Sequence, residues 1–399
     1  MKKYLLLICA ISIALLSSLI PFSTAYGKGE THISKEINNL NGYSSRSAYV
    51  MDYNTGTTLY ERNADAKYPI ASMVKIMTLN VIFEEIQNGN LRFDEKVLIS
   101  ENASGMGGSQ MFLDTGLEYT VSDLIKGIVV VSANDACVAM AEKICGSSSA
   151  FVDLMNEKTK DYGLQNTNFV NVTGLPENGQ YSTAKDVSKM MQKLLKHSKY
   201  HEYSTIFLEN FNHPDGRVTE FTNTNKLVKF YPGCDGGKTG FTNEAMYCLS
   251  ATAKREDTRV IATVMGAQTS KERNKEVTDL LNYAFHNYKT IKTLEKGKPI
   301  DAEINIKSAK ENKIEVATER DFYVLSKKGK TDEYSYEIVI SDNLKAPIKK
   351  GERIGKIVVK NKSSGNTIEE IGLITLCDVD KISLLDSLKL IAENWSLKV

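Results

Sequence analysis

The pattern that most constrains this chain is helical periodicity bracketed by strands. Residues 47–52 and 57–61 alternate as a hairpin turning at Asn54-Thr55-Gly56. Residues 246–253 and 260–264 are apolar strands around the charged turn Arg255-Glu256-Asp257, and a helix follows over 272–288. Between these ends, helical patterns recur at 72–87, 121–131, 134–145, 150–162 and 183–197, the first stopped by Asn88-Gly89-Asn90. Strands at both ends with helices between are most economically satisfied by one antiparallel sheet whose first and last strands meet, with helices packed on it. An α+β domain over residues 28–290 is expected.

The character then changes. From about residue 295 the pattern is β throughout, with short strands at 303–307, 313–317, 336–340, 355–359 and 368–376. A small all-β sandwich over 295–380 fits. In 381–399, Ile382, Leu384, Leu385, Leu388, Ile391, Ala392 and Trp395 share one helical face, with Lys381, Asp386, Lys389, Glu393 and Lys398 on the rest. Such a C-terminal amphipathic helix suits a membrane interface; docking on its own sandwich is the alternative. Residues 1–27 read as a signal peptide: Lys2 and Lys3, an apolar run over 4–16, then small residues with cleavage after Ala25 or Gly27. The protein is expected outside the cytoplasm, on the outer face of the cell membrane. A formal charge of +1 gives no basic excess for nucleic acid.

Three short motifs carry the chemistry: Ser72-Met73-Val74-Lys75, Ser132-Ala133-Asn134 and Lys238-Thr239-Gly240. Ser72 and Lys75, three apart at a helix start, point the same way, and the positive helix end favours negative charge at Ser72. A serine needs a base, and a lysine serves once burial or a second cation lowers its pKa; Lys238 is a candidate second cation. Ser132 could pass a proton and Asn134 align a substrate backbone, although alone Ser132 reads as a helix N-cap. Glycines around Lys238 allow close backbone approach along a sheet edge. Lys238 and Thr239 offer a cation and a hydroxyl to a carboxylate, and Arg273 a bidentate contact, unless it is simply a solvated charge at a helix start. The second S-x-x-K match, Ser182 with Lys185, looks like helix capping. Of the six cysteines, Cys9 leaves with the leader. The odd set Cys137, Cys145, Cys234, Cys248 and Cys377 looks like buried thiols rather than a disulfide framework. His197 and His201 are i, i+4, but no third ligand is suggested. No metal and no cofactor is expected.

In this order the motifs resemble the penicillin-binding, active-site-serine superfamily, and more specifically its low-molecular-mass D-alanyl-D-alanine carboxypeptidases. Gly108-Ser109-Gln110-Met111-Phe112-Leu113, Thr173-Gly174-Leu175 and the residues from Ser132 to Ala136 are also similar to family segments. The resemblance implies a β-lactamase/transpeptidase-like catalytic domain acting on peptidoglycan stem peptides, with β-lactams as covalent inhibitors. It implies that Ser72 attacks the carbonyl between the terminal D-alanines, Lys75 accepts its proton, and Ser132 relays a proton to the leaving D-alanine with Lys238 in support. Asn134 joins the catalytic set. Backbone N–H groups of Ser72 and Phe241 would form an oxyanion hole beside Gly240, and Thr239 and Arg273 would hold the terminal carboxylate. Ala133, Phe241 and Asn274 depart from the residues frequent in relatives (Gly, His and Phe).

A β-lactamase with the same acylation site would need a glutamate activating the deacylating water. Residues 162–180 offer only Glu177, which does not match E-x-x-L-N. A peptidoglycan endopeptidase would use the same site to cut cross-links between stems. A catalytically idle wall-binding protein would be expected to have lost Ser72, Lys75 or Lys238.

Overall fold

The computed structural model describes residues 42–388 except 303, 305, 311–313, 331, 332 and 343. Its contacts separate into two units, one ending at Lys289 and the next starting at Thr290.

The first unit is built on five strands: β1 (Ser47–Asp52), β2 (Thr58–Arg62), β3 (Cys234–Thr242), β4 (Met246–Arg255) and β5 (Thr258–Ala267). They form one sheet in the order β2-β1-β5-β4-β3, and every pair is antiparallel. The first strand does meet the last, with Ala48 opposite Val264 and Val50 opposite Ala262. All six residues of β1 are buried, so it needs a neighbour on each edge and a layer on each face. Helix α6 (Ser270–Asn287) covers one face and α5 (Ala184–Leu194) the other. On the α5 side, Ser188 Oγ lies 2.7 Å from Thr263 Oγ1, which donates to Ser250 Oγ at 2.9 Å, so the hydroxyls inside this apolar interface satisfy one another.

Between β2 and β3 lie α1 (Lys75–Gln87), α2 (Val121–Val130), α3 (Asn134–Cys145) and α4 (Ser148–Asp161). The first nine residues of α1, Lys75 to Phe83, are all buried, which makes it the central helix of the layer rather than an amphipathic surface helix. That placement strips water from Lys75. One hairpin and the start of one strand went unforeseen, as did the short pair Lys96–Leu98 with Glu118–Thr120. The hairpin Leu208–Asn212 with Val218–Thr222 leaves Leu208 and Val218 exposed and so lacks a clean apolar face. Strand β3 begins at Cys234, four residues before Lys238, through glycines that disguise it.

Between residues 290 and 383 the described part of the second unit carries strands and no helix. Its main sheet orders Val316–Thr318, Thr367–Thr375, Arg353–Asn361 and Tyr334–Ile340, and Phe322–Lys327 pairs with Tyr288–Leu294, which leads into the unit. Ile354, Ile357, Val359, Ile371 and Leu373 close on Phe322 and Val324 in the core. Of the strand expected over 303–307, positions 303 and 305 lie outside the described residues; Ile304 and Ile306 are buried, and Lys307 makes a bridge to Lys345. The strand expected over 313–317 shifts to Val316–Thr318, and Phe322–Lys327 was not anticipated.

Residues 384–388 are helical, with Leu384, Leu385 and Leu388 exposed. Ile391, Ala392, Trp395 and the leader over 1–27 lie outside the described residues. Among the described residues no helix is long and apolar enough to cross a membrane.

Candidate active site

Ser72 sits on a single 3-10 turn, Ala71–Val74, that runs directly into α1. Ala71 is held at φ 46°, a left-handed conformation that costs an ordinary residue about 1 kcal/mol or more. Two glycines press on this turn. A Cβ at Gly174 would overlap Ala71 O and stand 2.8 Å from Ser72 N; one at Gly240 would stand 2.6 Å from Ile70 O. Backbone therefore packs on backbone from two directions, and only glycine permits it.

Lys75 is fully buried, and its ammonium nitrogen has three neighbours: Ser72 Oγ at 2.9 Å, Asn134 Oδ1 at 2.7 Å and the Thr173 carbonyl at 2.6 Å. Burial pulls its pKa down to about 8, against opposing influences from Cys137 and Asp135. Two of the three neighbours are carbonyl oxygens, which only accept; the third is a hydroxyl, which can also donate. With Lys75 neutral, its two N–H bonds satisfy Asn134 and Thr173, and its lone pair is left facing Ser72 Oγ–H.

The middle motif is laced to the segment that precedes it. The backbone N–H of Asn134 donates to Ser109 O and its side-chain Nδ2 to Gly107 O, both at 2.7 Å. Asp135, buried beside it, accepts from the N–H groups of Met111 and Leu113 at 3.1 Å and from Ala136 at 2.9 Å. Burial raises its carboxyl pKa while those backbone bonds hold it down. Ser132 is no N-cap: Ala133 occupies that place and α3 has no side-chain cap. Instead Ser132 is twisted to φ 65°, with Oγ buried and making no hydrogen bond among the described residues.

Strand β3 lies at the sheet edge and carries the third motif. Lys238 is buried, bonded to Thr239 O at 3.3 Å, and its pKa falls well below the usual lysine value through burial, then Lys75, with a further push from Arg273. The charges of Lys75 and Arg273 both reach Lys238. Thr239 is buried beside Lys238. Phe241 is half exposed, its ring 4.4 Å from that of Tyr247. Arg273, on the first turn of α6, is only 6 % exposed, which rules out a solvated helix-start charge.

Cys137, one turn along α3 from Asn134, feels both lysines, yet burial pushes its thiol up to about 12 and it stays protonated. Cys137, Cys234 and Cys248 are buried, Cys145 is partly so and Cys377 is exposed; all five are free. Ser182 Oγ meets Thr167 Oγ1 at 2.8 Å, Lys185 reaches Asp65 at 3.3 Å, and Thr183 caps α5 through the N–H of Asp186, so the second S-x-x-K match is structural. Glu177 is exposed and accepts from Asn171 Nδ2 at 3.0 Å. Among the described residues no His, Cys, Asp and Glu cluster could hold a metal. Sequence reasoning gave no role to Asp135 or to the Thr173 carbonyl. A buried acid beside a catalytic motif was a usable signal for the first. A backbone acceptor leaves none.

The sequence model of D-alanyl-D-alanine carboxypeptidases matches residues 34–269, and that of the C-terminal domain of penicillin-binding protein 5 matches residues 288–381. The chain belongs to the D-alanyl-D-alanine carboxypeptidase family. It is 40 % identical to D-alanyl-D-alanine carboxypeptidase DacF of Bacillus subtilis, over 89 % of this chain and 90 % of that one. It is 32 % identical to DacA of Escherichia coli K12 over 94 % of each. Among solved structures, penicillin-binding protein 5 from Haemophilus influenzae superposes with a TM-score of 0.69 at 34 % identity, covering 85 % of this chain and 98 % of that one.

Proposed function

We propose that this family member is a penicillin-binding, serine-type D-alanyl-D-alanine carboxypeptidase that removes the terminal D-alanine of peptidoglycan stem pentapeptides through an acyl-enzyme on Ser72. The observation that carries the reading is the aim of Lys75, whose two carbonyl acceptors leave its lone pair facing Ser72 Oγ 2.9 Å away. Lys75 takes the Ser72 proton as Oγ attacks the carbonyl carbon of the penultimate D-alanine. Backbone N–H groups of Ser72 and Phe241 receive the oxyanion, where one donor is typically worth about 3 kcal/mol. As the C–N bond breaks, the Ser132 hydroxyl hands its proton to the leaving amine and takes up in exchange the proton held by Lys75, which returns to neutral, with Lys238 balancing charge. Thr239 and Arg273 hold the terminal carboxylate, and Gly240 lets the substrate backbone lie close to β3. Water then hydrolyses the ester.

A β-lactam would acylate the same serine, and its amine, tethered by the second ring, would stay in the leaving-group position. The exposed position of Glu177 disfavours the β-lactamase reading, since a deacylating glutamate has to reach the ester. The apolar leader supports export, and the exposed leucines at 384, 385 and 388 support attachment to the outer face of the cell membrane.

Release of D-alanine from a diacyl-Lys-D-Ala-D-Ala tripeptide tests the reading. Ser72→Ala should lower it by at least about 10³-fold. No release by the intact folded protein would overturn it in favour of an endopeptidase acting on cross-links.

A further inference from the structure

Both Nε and Nη2 of Arg273 donate to Asn274 Oδ1, at 3.1 and 2.9 Å. This is an unusual partner for a buried guanidinium, which ordinarily takes a carboxylate. Carboxylates are close in sequence: Glu272 precedes Arg273 and Glu276 lies one turn on. The fold directs both elsewhere. Glu276 accepts from Ser45 Oγ at 2.8 Å and from Arg62 at 2.7 Å, and Glu272 accepts from Ser44 Oγ at 3.3 Å. The Cys248 thiol, the strongest titratable influence on Arg273, is pushed up to about 11 by burial and so supplies no counter-charge at pH 7. Tyr247, the other such influence, packs its ring, tilted by 32°, against that of Phe241, the residue after the third motif.

We propose that Asn274 is a positioning residue for substrate, a neutral acceptor that locks the guanidinium plane by one edge without cancelling its charge. The bond from Nε and the near Nη2 hydrogen converge on a single oxygen and fix rotation of the group. The end-on fork of Nη1 and the second Nη2 hydrogen remains for a carboxylate. An acid at 274 would hold the plane equally well but would compete with the substrate's carboxylate. A residue without an acceptor would keep the charge but release the plane. The inference rests on the reading of Arg273 as the group that binds the terminal carboxylate.

The test uses the full-length mature protein with diacyl-Lys-D-Ala-D-Ala and with the same tripeptide ending in a carboxamide, comparing wild type, Arg273→Ala, Asn274→Asp and Asn274→Ala, each checked for an unchanged thermal midpoint. Asn274→Asp should raise KM for the acid substrate about tenfold or more with kcat nearly unchanged, and should leave kcat/KM for the amide within about twofold. Asn274→Ala should shift the same parameter less. Equal losses on acid and amide, or an unchanged KM in both Asn274 variants while Arg273→Ala loses its preference for the acid, would overturn the proposal and leave the Arg273 reading intact. An unchanged preference in Arg273→Ala would overturn both.

Discussion

In the catalytic unit Lys75, Lys238, Arg273 and Asp135 are all at most 6 % exposed, whereas in the β unit the pairs Lys356–Glu370 and Lys360–Glu337 sit on the outer face of the sheet. There Ile357 and Ile371 face each other in the core, and charge decorates the opposite face. Buried charge is expensive unless bonds hold it. The first unit therefore needs backbone acceptors, glycine contacts and a strained turn to keep its charges in place. The second needs only alternation. The difference teaches that the first unit's polar interior is organised around reactivity, and that its weak points are backbone contacts rather than ion pairs.

The strongest way to break that comparison is at Gly174. A methyl group there must push the Ala71–Ser72 backbone aside and carry Thr173, an acceptor of Lys75, with it. Gly174→Ala should lower kcat/KM about 10²-fold or more, because misplacing a reacting group by about 1 Å has that effect. Gly179→Ala provides the contrast. It lies in the same loop at φ 91°, but its added Cβ meets nothing closer than Val170 at 3.6 Å. It should cost about 1 kcal/mol of stability and leave kcat/KM within about twofold. Equal kinetic losses in the two variants, measured by D-alanine release, would show that the loop matters only through its fold.

A second test is the pH profile. Lys75 works as a base only when neutral, and burial has lowered its pKa to about 8. Acylation should therefore fall about tenfold per unit as pH drops below about 8 and level off above it. The same shift has a stability sign. Between about pH 8 and 10.5 the unfolded chain holds a proton that native Lys75 has released, so this group makes stability rise with pH across that window. Position 241 is phenylalanine, so no imidazole follows the third motif. A limb centred near 6.5 in kcat/KM would point to a histidine elsewhere and remove Lys75 from the role of base.

Strands β4 and β5 were legible because burial on both faces writes near-continuous apolar runs, and β1 because its hairpin turn is explicit. The start of strand β3 was concealed by residues that serve the site: Gly236 and Gly237 trade strand propensity for close approach. Ser72, Lys75, Asn134 and Lys238 could be picked out as side chains at fixed spacing. The Thr173 carbonyl, the contact of Gly174 with the nucleophile turn and the twist at Ser132 could not, since each is a backbone property fixed by parts of the chain far apart in sequence. Ser132 illustrates the limit. Locally it has the look of an N-cap, and only the way the turn before α3 folds moves the cap to Ala133 and frees the hydroxyl.

The smallest expected effect lies on the outer face of the β unit. Lys356 Nζ is 2.8 Å from both carboxylate oxygens of Glu370, with Lys356 38 % and Glu370 48 % exposed. Two solvated side chains lose rotamer freedom to make this pair, and salt screens what they gain, so exposed pairs are usually worth about 0–1 kcal/mol. Lys356→Ala should shift the thermal midpoint by no more than that range implies, the more so at high salt, and should leave D-alanine release unchanged. A loss of about 3 kcal/mol would mean that the outer face is desolvated by a covering surface. Charge in the β unit would then be as consequential as charge in the catalytic one, and the contrast between the two units would fail.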